Sequence, residues 1–128
     1  LANGTWQIYD PERVLESVRT REEAASTVMP CGVALPHPRR CLGESLGETV
    51  LAVGRTTTPV PFSVGGKSGG VADLFFLLLC KDERTHLHTL ARLTRILQRE
   101  DCLASLRAAE SARQLLVALV DAEAEVLP

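Results

Sequence analysis

One short and strongly apolar run constrains this sequence more than any other feature. Residues 74–80 are apolar throughout, and Asp73 is the one charge within Val71–Cys80. A membrane-spanning helix needs about 20 such residues, so the run instead predicts a strand buried in a sheet. A chain of 128 residues is long enough to enclose such a strand in a single domain.

Helix signals lie on both sides of this strand. Asp10 and Pro11 suit the N-cap and the first helical position, and the capping-box pattern of Thr20–Glu23 predicts a second short helix. Residues 83–99 show helical spacing, and two shorter helices follow, the last beginning at Ser111. The apolar face of helix 83–99 is predicted to contain Leu87, Leu90, Leu93, Ile96 and Leu97. That of the last helix is predicted to contain Leu115, Leu116, Leu119 and Val120.

Two further strands are predicted, one over residues 32–36 and one over Val50–Arg55. Thr56–Pro61 is predicted to be turn or edge material, and the glycine-rich residues 65–70 to form a hairpin-like connection. The order of helix, three strands and further helices favours the α/β class, with a mixed β-sheet flanked by helices in a layered α/β/α sandwich. We expect residues 1–128 to form a single domain.

Charge and cysteine usage exclude several classes of function. A formal net charge of −2 argues against wholesale nucleic-acid binding, which needs a basic surface. The four cysteines have no CxxC spacing, so we expect free thiols, and we also expect no signal peptide and a cytoplasmic location. The spacing of Cys31, His37 and Cys41 matches no common zinc pattern, so no metal is expected. Because the chain begins with Leu1, we expect it to be a fragment that lacks upstream sequence.

His37 is the most informative candidate residue. It follows the end of a predicted strand, where ligands of α/β domains usually bind, and it stands between Pro36 and Pro38. Neutral imidazole is a good nucleophile, and Arg39 and Arg40 could offset the charge of a phosphoryl group. On this pattern alone, a loop histidine without a chemical role is the commoner alternative.

Helix geometry separates the other two histidines. At about 100° per residue, His86 lies within about 40° of Leu90 and Leu93, on the inward face. His88 lies about 200° from His86, on the face that carries the arginines. We therefore expect His86 to point into the domain from a helix N-terminus, which attracts phosphoryl oxygens, and His88 to be solvated.

The motifs resemble a known family in two separated parts of the chain. Arg21-Glu22, Ser26-Thr27 and the stretch Gly32–His37 are similar to the phosphorylation-site region of EIIA domains of the fructose/mannitol/nitrogen-regulatory type. These domains belong to the bacterial phosphoenolpyruvate-dependent sugar phosphotransferase system. Ala72–Leu79 resembles the family's buried strand, and Thr85–Leu93 its H-L-x-x-L-A-x-L helix.

The resemblance implies a role for individual residues. His37 matches the histidine that the phosphocarrier protein HPr phosphorylates at Nε2, and His86 matches a second histidine that helps to hold the phosphoryl group. The other matching positions around the site are Arg21, Ser26, Thr27 and Arg39. No cofactor or metal is implied. Pro38 departs from the family's small residue and lacks an N–H donor, and Cys31 replaces an Asn or acidic residue.

Three functions remain open at this point. A phosphocarrier domain would accept a phosphoryl group from HPr on His37 and pass it to an EIIB protein. A regulatory module, fused for example to an upstream DNA-binding domain, would signal by the phosphorylation state of His37 with little onward transfer. A degenerate binding domain would keep the fold without the chemistry, although the retention of His37, His86 and Arg21 argues against it.

Overall fold

The apolar run forms the middle strand of a three-stranded sheet. In the computed structural model, which describes residues 8–64 and 67–127, β1 is Val33–Ala34, β2 is Val50–Val64 and β3 is Lys67–Leu79. The strand order is β1-β3-β2, with β1 parallel and β2 antiparallel to β3. This mixed sheet, together with the helices below, confirms the predicted α/β class.

The burial of β3 alternates although its sequence is apolar on both faces. Ala72, Leu74, Phe76 and Leu78 are all fully buried, whereas the residues between them are only half-buried. Successive side chains of a strand point to opposite faces of the sheet. One face of the sheet is therefore covered more completely than the other, which the uniform apolar run does not predict.

Four α-helices lie within the described part of the chain. They are α1 (Pro11–Ala24), α2 (Glu83–Leu97), α3 (Glu100–Ala108) and α4 (Ala112–Val126), and a short 3₁₀ helix spans Gly43–Ser45. The predicted caps are present: the Asp10 carboxylate accepts from the Arg13 N–H, and the Ser111 hydroxyl accepts from the Gln114 N–H. Capping of this kind satisfies N–H groups that have no partner within the helix.

The predicted break at Thr20 is wrong, because α1 is one continuous helix. Thr20–Glu23 occupies its C-terminal part rather than the start of a second helix. Between Pro11 and Ala24 the chain contains no glycine or further proline and is rich in Glu and Arg, which propagate a helix well. A capping-box pattern cannot start a helix where the preceding turn is already helical.

The predicted end of β2 at Arg55 is also wrong, because Thr56–Pro61, predicted to be turn or edge material, belongs to the same edge strand. The strand continues to Val64, with register shifts between Arg55 and Val60 and between Phe62 and Ser63. Its prolines are tolerated because β2 is an edge strand of the described sheet, where a missing N–H donor costs little. The hairpin itself is confirmed by the pairing of Val64 with Lys67. Gly65 and Gly66 lie outside the described residues, but Lys67–Gly70 belongs to β3 instead of a loop.

The chain divides into two compact units, and the boundary between His86 and Leu87 lies inside α2. In the first unit, α1 contributes Val14 to a core cluster with Leu42, Leu46 and Leu79. In the second unit, the buried large side chains are Leu93, Ile96, Leu97, Leu103, Leu106 and Leu115. No helix among the described residues combines the length and apolar character needed to cross a membrane.

Three predicted apolar-face residues are exposed. Leu87 is 60% exposed, and Leu116 and Val120 are 61% and 58% exposed. Leu87 lies about 120° around the helix from the buried Leu93, so the buried face of α2 is narrower than predicted.

Candidate functional site

Sheet topology brings His37 and His86 together. Because β1 and β3 are parallel neighbours, their carboxyl ends meet at the same edge of the sheet, and a further hydrogen bond of 3.0 Å joins the Leu78 N–H to the Pro36 carbonyl. His37 follows β1 at this edge, and α2, which carries His86, begins just after β3. The centroids of the two imidazole rings are 5.0 Å apart. This edge is where α/β sheets usually bind ligands.

The backbone selects one tautomer of the His37 ring. Nδ1 lies 2.7 Å from the carbonyl oxygen of Leu35. A carbonyl oxygen can only accept a hydrogen bond, so the proton of the neutral ring resides on Nδ1 and donates to Leu35. The lone pair is then on Nε2, which makes Nε2 the nucleophilic atom.

A small cavity adjoins the two rings. Its volume is about 80 Å³, and its lining consists of His37, Pro38, Arg39, Arg40, Cys41, Leu78, Cys80, Glu83 and His86. Pockets for whole small molecules are usually about 300–1,000 Å³. This cavity therefore suits a group of a few atoms, such as a phosphoryl group, better than a sugar.

The surroundings of His86 disfavour its charged form. Burial lowers the pKa of His86 from its ordinary value of 6.5, and the nearby His37 lowers it further, while Glu83 acts in the opposite direction. His88 is exposed, whereas His86 is half-buried. The inward and outward directions predicted for the two histidines are thus the ones observed.

Cys41 also lines the cavity, and its thiol is held in the neutral form. Burial raises the pKa of Cys41 to about 12, helped by a hydrogen bond to the Glu83 side chain and by the negative charge of that side chain. A neutral thiol is a poor nucleophile and a poor metal ligand. Cys41 therefore does not compete with His37 as the nucleophile of this site.

Arg39 and Arg40 present exposed side chains at the cavity, beside His37. The backbone N–H of Arg39 donates to the hydroxyl of Ser17 in α1 at 3.2 Å. This bond ties the loop after His37 to the first helix. Two cations are consequently available to an anionic group in the cavity.

Arg21 and Ser26, also predicted near the site, engage the connection between α1 and β1. Arg21 Nη1 donates to the Ala25 carbonyl at 2.8 Å. Ser26 Oγ donates to the carbonyl of Gly69 in β3 and accepts from the Val28 N–H. A Cβ on Gly69 would lie 3.0 Å from the Ser26 Cβ, so a larger residue at this position would need Ser26 to shift by a few tenths of an ångström.

Thr27, the remaining predicted residue, forms hydrogen bonds through its hydroxyl that hold the backbone next to His37. Its Oγ donates to Glu22 and accepts from the N–H of Leu35, whose carbonyl holds His37. Neither Thr27 nor Arg21 nor Ser26 lines the cavity, whereas Arg39 does.

The sequence did not predict Glu22, Ser17 or Glu83 as site residues, and it offered Cys41 only as a metal ligand whose spacing fits no common zinc pattern. A signal existed only for Glu22, which stands next to Arg21 in the motif that precedes Ser26-Thr27. The contacts of the other three depend on which helices and loops meet, and local sequence does not reveal this.

One group of potential metal ligands occurs among the described residues. Ligand atoms of Asp101, Cys102 and Glu125 lie within 4.8 Å of one another. Arg99 Nη2 is already 2.8 Å from Asp101 Oδ2 and 3.3 Å from Glu125 Oε2. A guanidinium at this position offsets the charge that would attract a cation.

Comparison with known proteins identifies the family to which this arrangement belongs. Residues 5–121 match the family described as phosphoenolpyruvate-dependent sugar phosphotransferase system, EIIA 2. A nitrogen regulatory protein of Escherichia coli (strain K12) is 35% identical over 117 residues, which cover 88% of this chain and 68% of that protein. The fructose-specific EIIABC component of Bacillus subtilis (strain 168) is 30% identical over 107 residues, 82% of this chain and 16% of that protein.

A solved structure shows the same fold. Enzyme IIA for mannitol of Escherichia coli, in complex with phosphorylated enzyme IIB, has a TM-score of 0.72 at 18% identity, covering 94% of this chain and 80% of that chain. The sequence match, the shared fold and the paired histidines agree with the resemblance found in the motifs. The chain belongs to the EIIA type-2 family of the phosphoenolpyruvate-dependent sugar phosphotransferase system and is an EIIA-type domain with a phosphocarrier or regulatory role.

Proposed function

We propose that His37 accepts a phosphoryl group at Nε2 from an HPr-like phosphocarrier protein in the cytoplasm, with residues 1–128 acting as one domain. The observation that carries this proposal is the 2.7 Å contact between His37 Nδ1 and the Leu35 carbonyl. It leaves the lone pair on Nε2 of a ring that lines the cavity. The Nε2 lone pair forms a bond to phosphorus while the bond from phosphorus to the donor breaks, and the donor keeps that electron pair.

His86 and Arg39 support the transferred group. His86 lies 5.0 Å from His37 between ring centroids, and its neutral ring can donate one N–H to a phosphoryl oxygen. The Arg39 guanidinium adds positive charge at the cavity. Most of the rate enhancement then comes from positioning and charge stabilisation. Arg21, Ser26 and Thr27 hold the backbone around the site and do not touch the phosphoryl group.

The phosphoryl group on His37 either passes to an IIB protein or acts as a signal. Transfer is favoured by the relation to a fructose-specific EIIABC component and by the fold shared with a IIA protein seen bound to phosphorylated IIB. Signalling is favoured because curated relatives at 35% identity are nitrogen regulatory proteins.

The test is phosphorylation from phosphoenolpyruvate with Enzyme I and HPr, followed by intact mass. We expect wild type to gain one phosphoryl group, His37→Ala to gain none, and His86→Ala to be slowed to an intermediate rate. His88→Ala is the matched control, because His88 is an exposed histidine of the same helix, and it should behave as wild type. Equal loss in His37→Ala and His88→Ala would contradict the assignment of the acceptor.

A second step distinguishes the two roles. Phosphorylated wild type is mixed with a fructose-type IIB protein, and transfer is followed by the mass of both proteins. Transfer supports the phosphocarrier role, whereas retention of the group on His37 supports the regulatory role. A folded wild type that gains no phosphoryl group from HPr would contradict the proposal and favour a binding module without the chemistry.

A further inference from the structure

A chain of hydrogen bonds begins at the end of α1 and finishes on the His37 ring. The first member is Glu22, whose two carboxylate oxygens both accept hydrogen bonds from Thr27. Thr27 Oγ–H donates to Oε1 at 2.7 Å, and the Thr27 backbone N–H donates to Oε2 at 2.8 Å. A carboxylate that accepts two such bonds holds both the backbone and the side chain of Thr27 in place.

Because the Thr27 hydroxyl donates its one proton to Glu22, its oxygen can only accept further hydrogen bonds. A hydroxyl has one proton and two lone pairs, so an oxygen that donates to Glu22 presents its lone pairs to other donors. One of them accepts from the Leu35 N–H at 3.1 Å. Leu35 is buried, and its carbonyl in turn accepts from His37 Nδ1–H at 2.7 Å. Leu35 is thus fixed at its N–H by Thr27 and itself fixes His37 through its carbonyl.

We propose that Glu22 and Thr27 are positioning residues for His37, which rests on the proposed role of His37 as acceptor. They hold the Leu35 backbone so that its carbonyl keeps the proton on Nδ1 and leaves the lone pair on Nε2 of a ring that lines the cavity. Phosphoryl transfer depends strongly on the orientation of the attacking atom. Neither residue touches the transferred group, so their effect passes entirely through the Leu35 backbone.

Three variants isolate this effect. Thr27→Val removes the hydroxyl at nearly the same shape, and Thr27→Ser restores it. Glu22→Gln replaces one of the two carboxylate oxygens by an amide NH₂ group, which donates hydrogen bonds and faces a donor of Thr27. One of the two hydrogen bonds between residue 22 and Thr27 is therefore lost. Glu23→Gln is the matched control, because Glu23 is the next residue of the same helix and is exposed.

The primary measurement is the ¹⁵N NMR spectrum of the His37 ring at a pH where the ring is neutral. We expect wild type and Glu23→Gln to carry the proton on Nδ1, and Thr27→Val and Glu22→Gln to show a mixture of tautomers. Loss of one hydrogen bond in the framework corresponds to a phosphorylation rate about tenfold lower. Thr27→Ser should restore both the tautomer and the rate to within about twofold of wild type.

Circular dichroism and thermal unfolding establish that each variant is folded. A folded Thr27→Val with the wild-type tautomer and rate overturns the proposal, as does a Thr27→Ser that fails to restore them. If Thr27→Val does not fold, the His37 tautomer and the phosphorylation rate of Glu22→Gln decide whether the proposal holds. Should wild type not be phosphorylated at all, the proposed function fails, while the tautomer measurement still tests the positioning of His37.

Discussion

At the scale of single residues, His86 shows how burial favours a neutral imidazole beside His37. Its pKa is lowered first by burial and then by His37. Two cationic imidazoles with centroids 5.0 Å apart would repel each other, and burial of one ring favours its neutral form. Near neutral pH, His86 is therefore a neutral hydrogen-bond donor.

The lowered pKa of His86 makes the stability of the domain depend on pH. At pH values between 6.5 and the lower pKa of folded His86, the unfolded chain binds more protons at this residue than the folded chain does. The free energy of unfolding therefore falls as the pH decreases below about 6.5 and stops falling once folded His86 is protonated. We expect the urea midpoint to decrease less in His86→Gln than in wild type between about pH 7.5 and about pH 5.5. The urea midpoint of His88→Gln should decrease as much as that of wild type. Equal decreases of the midpoint in all three proteins would contradict this assignment.

Cys41 is expected to resist alkylation although it lines the cavity. With the pKa of Cys41 raised to about 12, little thiolate exists at about pH 8, and iodoacetamide should react at least about a hundredfold more slowly than with glutathione. Peptide mass mapping measures the modification at this residue. Glu83→Gln removes the carboxylate that stabilises the neutral thiol, so it should accelerate the reaction, whereas Glu48→Gln, at an exposed position, should not. Rapid alkylation of folded wild type would show that the thiol is not shielded.

At the scale of elements, local signals predict where helices begin better than where elements end. Asp10 and Ser111 cap α1 and α4 as predicted, because capping is a contact between residues three apart. The end of β2 was missed, since it depends on pairing with β3 across the sheet. Proline residues normally mark turns, but an edge strand accommodates them.

The cap of α1 provides a direct test at this scale. Asp10→Ala removes the acceptor of the Arg13 N–H and should lower the free energy of unfolding by about 1 kcal/mol. Asp10→Ser should recover most of the loss, because serine also caps helices well. Chemical denaturation measures both. The exposed Glu16 in the middle of the helix serves as the control, and a Glu16→Ala loss as large as that of Asp10→Ala would contradict a capping role.

At the scale of the whole molecule, the site exists because two strands run parallel side by side. Val33 pairs with Leu74 and Ala34 with Phe75, although these partners are about forty residues apart in sequence. The segments that leave the two carboxyl ends carry His37 and His86. The sheet order therefore places the two histidines together, and Glu22 of α1 is linked to the same place through Thr27.

The sequence by itself determined the α/β class, the caps, the family and the choice of His86 over His88. These depend on spacing along the chain and on motif residues, which are local properties. Only the tertiary structure decided that α1 is unbroken. It also decided that the Thr27 hydroxyl forms hydrogen bonds with Glu22 and Leu35, and that the Arg21 side chain donates to the Ala25 carbonyl. The reason is that hydrogen-bond partners are chosen by which backbone groups folding brings within about 3 Å, and residues such as Leu35 and Gly69 have no side-chain signal for that choice.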